Sequence, residues 1–187
     1  MSLDFFKKSL KDSIIIKKNN YPYIVHPLLD GIPEIKPEIL DEVVVEMEKI
    51  INKYRPFNKI VTIEAMGLPI TTALSLKTNI PFTVIRKRPY GLAGELVVEQ
   101  KTGYSKSKLY INDIKKDDRI IIIDDVLSTG GTLRSVLSVF KKNYINVKGV
   151  IILVNKGREL NKLKDDFDID INILSNIDII DNEIIMK

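Results

Sequence analysis

The chain has 187 residues, 44% of them apolar and 29% charged, with a net charge of +4 and no cysteine. Such a composition describes one globular domain with a full core, not a disordered or fibrous chain. It excludes disulfides, thiolate metal sites and a cysteine nucleophile, and the mild, dispersed basic excess falls short of a nucleic-acid footprint. The lack of cysteine fits a cytoplasmic setting. No apolar run is long enough to span a membrane, and the start, Met1-Ser2-Leu3-Asp4, lacks the basic-then-apolar order of a signal peptide.

In chain order, residues 2–12 are expected to form a short helix with Leu3, Phe6 and Leu10 on one side. Ile14-Ile15-Ile16 and Tyr23-Ile24-Val25 flank a polar turn at Asn19-Asn20, the pattern of a hairpin. His26-Pro27 to Gly31-Ile32-Pro33 reads as a loop, and His26, the sole histidine, as a structural residue. Pro37 opens a helix running to about residue 53, with Leu40, Val43, Val44, Met47 and Ile50 as its buried stripe.

Lys59–Ile63 reads as a strand, Glu64-Ala65-Met66-Gly67 as the turn after it, and Leu68 to about Lys77 as a helix. Phe82–Arg86 is the next strand, and Arg86-Lys87-Arg88 at its end suits a ligand with several negative charges. Residues 89–107 are punctuated by Gly91, Gly94, Gly103, Ser105 and Ser107. Leu96-Val97-Val98 and Leu109-Tyr110-Ile111 then read as antiparallel arms of a long polar flap, a kind of segment that is usually functional.

Arg119 and the four isoleucines Ile120–Ile123 form a strand buried on both faces, as in a parallel sheet. Asp124 and Asp125 follow where that strand would surface, then Ser128-Thr129-Gly130-Gly131-Thr132. A helix comes next, with Leu133, Val136, Leu137 and Phe140 at helical spacing. Backbone N–H groups, hydroxyls and glycines at a helix start suit a terminal phosphate. Ionised aspartates repel phosphate but accept hydrogen bonds from sugar hydroxyls, directly or through magnesium and its waters. A phosphate at one end and a cis-diol nearby describe a ribose 5-phosphate. A plain helix entry capped by Ser128 or Thr129 would account for the loop alone. A P-loop NTPase would need G-x-x-x-x-G-K-[ST], which is missing. After this unit, Val147–Val154 is a strand with Asn155-Lys156-Gly157-Arg158 at its carboxyl end. Ile169, Ile171 and Ile173, then Ile177–Ile180 and Ile184–Met186, read as short strands.

The 119–132 stretch resembles the phosphoribosyl-pyrophosphate (PRPP) motif of type I phosphoribosyltransferases: four apolar residues, two acids, then Val-x-x-Thr-Gly-Gly-Thr. The whole chain is similar to archaeal-type hypoxanthine phosphoribosyltransferases, which are close in layout to the adenine enzymes. The resemblance covers roughly residues 20–160. It implies an α/β fold of one domain over 1–187: a parallel sheet flanked by helices, a small hood from about 1–35 and 155–187, and a flexible flap at about 89–110. It implies transfer of the phosphoribosyl group of PRPP to hypoxanthine, and to guanine as well, giving IMP or GMP and pyrophosphate in purine salvage. Asp124, Asp125, Ser128, Thr129, Gly130, Gly131 and Thr132 would then hold the ribose and 5'-phosphate. Glu64, Ala65, Met66 and Gly67, with Arg86 and Lys87, would receive the pyrophosphate. Met66 stands where the adenine enzymes have arginine, so one expected cation is missing. Tyr104 and Ser105 fall near the flap tip. Magnesium is the implied cofactor, at Asp124 and Asp125 through water or PRPP. PRPP and a purine base are the implied partners, and a cytoplasmic homodimer the implied assembly.

Two departures bear on chemistry. Ser128 occupies the place where animal-type hypoxanthine-guanine enzymes carry a third acid, and the flap position matching the glutamate of adenine enzymes is about Lys101. No general base is therefore named, and Glu99 is the substitute candidate. Lys156 is the candidate base-binding residue, because its ammonium offers only donors and a 6-oxopurine presents an acceptor. Transfer to adenine is the alternative reading, and a PRPP- or purine-binding regulator without catalysis is the second.

Overall fold

A computed structural model describes residues 3–18, 21–102 and 105–187. The chain opens with α1 (Asp4–Lys11), a hairpin of β1 (Ile14–Lys18) and β2 (Tyr21–Val25), a one-turn helix α2 (Pro27–Asp30) and the long α3 (Pro37–Ile51). It continues through β3 (Lys59–Ile63), α4 (Gly67–Thr78), β4 (Phe82–Ile85), and the antiparallel arms β5 (Leu96–Thr102) and β6 (Ser105–Ile111). Then come β7 (Arg119–Leu127), α5 (Gly131–Lys142), β8 (Asn146–Asn155), α6 (Leu160–Phe167), β9 (Ile171–Ile180) and β10 (Glu183–Met186).

Six strands form the central sheet in the order β10-β9-β8-β7-β3-β4, parallel throughout except for β10, which turns back antiparallel on β9. The four isoleucines of β7 show why the sheet must be covered on both faces. Side chains alternate along a strand. Ile121 and Ile123 enter the core that includes α1, α3 and α4, while Ile120 and Ile122 enter the core that includes α5, α6 and the base of the flap. All four are fully buried, each worth about 1.5–3 kcal/mol relative to exposure.

Several elements depart from the sequence reading for identifiable reasons. The 26–33 segment contains a helical turn: Pro27 sits at its first position, Gly31 ends it at φ +72°, and His26 caps it. The His26 ring is buried, and its Nδ1 accepts from the Leu28 N–H at 3.1 Å while Nε2 lies 3.0 Å from the Ser9 hydroxyl. His26 is thus structural, as expected. The buried stripe of α3 is Ile39, Val43, Val44, Met47 and Ile51, with Leu40 and Ile50 only partly covered. Helix α6 carries Leu160, Leu163 and Phe167 at helical spacing, a pattern the sequence reading passed over. Residues 171–180 form one strand rather than two, because parallel pairing with β8 continues through Ser175 and Asn176. The 171–186 part of the expected hood therefore extends the main sheet.

Candidate active site

Strand order places the site. From β3 the chain crosses to β4 on one side, and from β7 it crosses to β8 and β9 on the other. β3 and β7 are parallel neighbours whose following segments diverge, which opens a crevice at their carboxyl ends.

The β7 side supplies a cradle. Gly130 caps α5 at φ +71°, a conformation that favours glycine, and no side chain caps the helix. Ser128 and Thr129 are therefore not the caps. The first N–H groups of α5 have no partner within the helix. A cleft of about 180 Å³ is lined by Asp124, Ser128, Thr129, Gly130, Gly131 and Thr132. A second glycine holds the cradle from behind. A Cβ on Gly157 would fall 1.7 Å from the Ser128 carbonyl oxygen, so the segment after β8 passes against the loop only because that side chain is absent. The Lys156 N–H donates to the Leu127 carbonyl at 2.9 Å and fastens the same two segments.

Asp124 and Asp125 do not follow the strand; they belong to it, since β8 runs alongside β7 as far as Leu127. Both are half-buried rather than solvent-facing. Burial pushes the Asp124 carboxyl well above its usual range, and the negative charge of Asp125 adds to this, opposed in part by Lys87. Asp125 is raised as well, first by burial, with Asp30 adding to the effect and Lys156 opposing it. The pair is thus two acceptors in a poorly solvated crevice, within electrostatic reach of cations from two other segments.

The β3 side is built differently. Glu64, at the end of β3, brackets the end of β4: its carboxylate lies 2.7 Å from Arg86 Nε and accepts from the Lys87 N–H at 2.9 Å. The Arg86 contact is an ion pair whose N–H does not point along it. The Glu64–Ala65 peptide is cis. Gly67 begins α4 tight against its surroundings, for a Cβ there would meet Thr62 Oγ1 at 2.1 Å, the Ile123 carbonyl at 3.3 Å and Asp124 Oδ1 at 3.4 Å. The Met66 thioether lies beside Gly31. Arg86 and Arg88 both approach the Tyr90 ring, at 6.0 and 5.3 Å, and Arg88 donates to its hydroxyl.

The crevice thus gathers Glu64–Gly67, Arg86, Lys87, Asp124, Asp125 and the Ser128–Thr132 loop. Lys156 joins from just past β8, its ammonium 5.3 Å from the Tyr23 ring. Glu99 does not join: it is exposed on β5 opposite Lys108, and among the described residues no contact ties it to the acid pair. Tyr104 lies outside the described residues, and Ser105 starts β6 opposite Thr102. Sequence reasoning missed Gly157, Tyr23 and Asp30. A glycine just past a strand end could have drawn attention to Gly157. Asp30 arrives through packing of α2 against β7, and Tyr23 through β2 beside α2. Among the described residues no three His, Asp or Glu side chains cluster as a ready-made metal cage. Asp124 and Asp125 are hard oxygen donors that fit magnesium shared with ligand oxygens and water. Also among the described residues, no helix is long and apolar enough to cross a membrane.

A family model described as "Phosphoribosyl transferase domain" matches residues 34–183. The hypoxanthine/guanine phosphoribosyltransferase of Aciduliprofundum boonei is 48% identical, with 97% of this chain and 98% of that protein aligned. The protein of the same name from Methanohalobium evestigatum is 50% identical over 87% of this chain and 85% of its own length. Among solved structures, the adenine phosphoribosyltransferase of Thermoanaerobacter pseudethanolicus superposes with a TM-score of 0.74 at 22% identity, covering 94% of this chain and 99% of that one. The Leishmania tarentolae adenine enzyme gives 0.76 at 17% identity, covering 94% and 88%. At those identities the likeness is one of fold.

Proposed function

The chain belongs to the phosphoribosyltransferase family, and from that premise we propose that it transfers the 5-phosphoribosyl group of PRPP to hypoxanthine and guanine in purine salvage. The products are IMP or GMP and pyrophosphate. One observation carries this reading: a cleft at the α5 N-terminus and a basic edge flank the same pair of half-buried acids at the β3/β7 crevice. The names of the relatives at 48% and 50% identity support the choice of a 6-oxopurine.

In this reading the α5 N-terminus and the Ser128–Thr132 loop hold the 5'-phosphate. Asp124 and Asp125 accept hydrogen bonds from the ribose 2'- and 3'-hydroxyls. Backbone N–H groups of Ala65, Met66 and Gly67 in the turn after β3, with the Arg86 and Lys87 side chains, receive the pyrophosphate. Glu64 itself acts by holding Arg86 and the Lys87 backbone in place. When the C1–oxygen bond breaks, its electron pair leaves with pyrophosphate, and the purine nitrogen bonds to C1 and gives up its proton to water. Positive charge on the ribose ring lies beside the acid pair, in a crevice where electrostatic preorganisation counts for more than in water. Asp124 and Asp125 are the residues that would hold magnesium, which would supply Lewis-acid neutralisation of the leaving group. The β5–β6 hairpin serves as the cover, and the family likeness supports a cytoplasmic homodimer as the working unit. Lys156 presents its ammonium to the 6-oxo group and disfavours adenine's amino group.

The test is the ratio of kcat/KM for hypoxanthine to that for adenine, with PRPP and magnesium, in wild type and Lys156→Ala. A ratio well above one that falls in the variant is expected. A wild-type preference for adenine sinks the substrate assignment, and an unchanged ratio in the variant sinks the role of Lys156.

A further inference from the structure

The Tyr23 ring faces the Lys156 ammonium at 5.3 Å, within cation–π range. Its hydroxyl donates to Asp30 Oδ1 at 2.5 Å, and the other oxygen of Asp30 accepts from the His26 N–H at 3.1 Å. Tyr23 is on β2 and Asp30 ends α2, both near the start of the chain, whereas Lys156 follows β8 of the central sheet. The contact therefore joins the N-terminal segment to the carboxyl edge of the sheet. The Asp125 carboxylate lies within electrostatic reach of the Lys156 ammonium, and Asp30 and Asp125 both lie within reach of Tyr23.

We propose that Tyr23, oriented by Asp30, is a positioning residue for base selection: its ring holds the Lys156 ammonium away from the Asp125 carboxylate and facing the purine. This rests on the role given to Lys156 above. A lysine is a compact charge on a flexible stem. Without a platform it would fold onto Asp125, where it would take up an acceptor needed for the ribose and point no donor at the base. An aromatic face attracts the ammonium while leaving its N–H groups directed elsewhere. Asp30 anchors the far end of the ring, so the ring plane is set by α2 and its His26 cap rather than by the purine.

The effect must pass through Lys156, which gives it a signature. Tyr23→Leu, which removes the ring, is expected to lower the hypoxanthine-to-adenine ratio of kcat/KM about tenfold. The loss should appear mainly as a higher KM for hypoxanthine, with the KM for PRPP nearly unchanged. Tyr23→Phe keeps the ring and loses its Asp30 anchor, so it should show a smaller loss, within about threefold of wild type. In the double variant Tyr23→Leu/Lys156→Ala the ratio should match that of Lys156→Ala alone, because the ring acts through the ammonium.

Three outcomes overturn the proposal: a ratio unchanged in Tyr23→Leu, Tyr23→Phe falling as far as Tyr23→Leu, or losses that multiply in the double variant. Tyr23→Phe guards against loss of fold, since it retains the bulk of the ring. Wild-type inactivity with hypoxanthine would instead remove the functional reading itself, and with it this inference. Normal wild-type turnover with a ratio that falls in Lys156→Ala but not in Tyr23→Leu removes the inference alone.

Discussion

Two strand–loop–helix units meet at the crevice, and they are built in opposite ways. The β3–α4 turn is filled by the protein itself: Gly67 sits against Thr62, Ile123 and Asp124, and Glu64 is committed to Arg86 and the Lys87 backbone. The β7–α5 loop is left open, with a cleft in front of Gly130, Gly131 and Thr132. A Cβ added at Gly131 would meet only Thr129 Oγ1, at 3.8 Å. One unit fixes a basic edge by internal bonding, and the other leaves backbone N–H groups presented outward. The same topology thus yields a rigid bracket and a receptive cradle, with the acid pair between them.

The largest expected effect is on that acid pair. Asp124→Asn should lower turnover by about 10² or more, because it removes a charged acceptor beside the reacting ribose. The fold should persist, since burial already disfavours the charge in the native state. Steady-state kinetics with a thermal melt measures both, and a variant of near wild-type turnover would mean that Asp124 does not face the ribose.

Next come the glycines that let backbones touch. Gly67→Ala and Gly157→Ala should each cost about 3 kcal/mol of stability, since their Cβ atoms overlap Thr62 Oγ1 and the Ser128 carbonyl respectively. Denaturant melts that matched wild type would show that the bracket and the cradle's rear wall are looser than described.

The N-terminal segment around α1, β2 and α2 should respond to pH through His26. Burial lowers its pKa from 6.5 to about 4, against the pull of Asp30. Between those values the unfolded chain binds the proton and the folded chain does not, so stability falls as pH drops through that window. From pH 7.5 to pH 5 the loss should be about 2 kcal/mol. His26→Asn keeps a capping acceptor and removes the titration. Its melting curve should be flatter over that range, and an equally steep one would place the pH response elsewhere.

The smallest stability effect should come from the open loop. Gly131→Ala is expected to stay within about 0.5 kcal/mol of wild type. The larger Gly131→Val should instead weaken PRPP binding by about tenfold or more by projecting into the cleft. Calorimetric titration showing normal PRPP binding in Gly131→Val would move the 5'-phosphate out of this loop.

The sequence carried the β7–α5 unit almost residue by residue, because four isoleucines, two acids and a glycine loop in that order match a strand, its carboxyl end and a helix start in a parallel sheet. It carried the flap arms for similar reasons. Less visible was anything set by neighbours. The strand character of Asp124 and Asp125 depends on the length of β8, and polar residues broke the apolar run that marks a strand. Ser175 and Asn176 resemble a turn, yet parallel pairing keeps them in β9. Tyr23 and Asp30 lie some 130 residues from Lys156, and no local pattern announces their meeting. Glu99 was placed by counting along the flap, and the structure sets it on the exposed side of β5.

The central claim is that bracket, acid pair and cradle act on one PRPP molecule while a purine attacks it. Pyrophosphate release from PRPP, followed with magnesium in the presence and absence of hypoxanthine, tests this most directly. The account predicts release only when the base is present, matched by IMP one for one. Measurable PRPP binding with no pyrophosphate release for hypoxanthine, guanine, adenine or xanthine would contradict it.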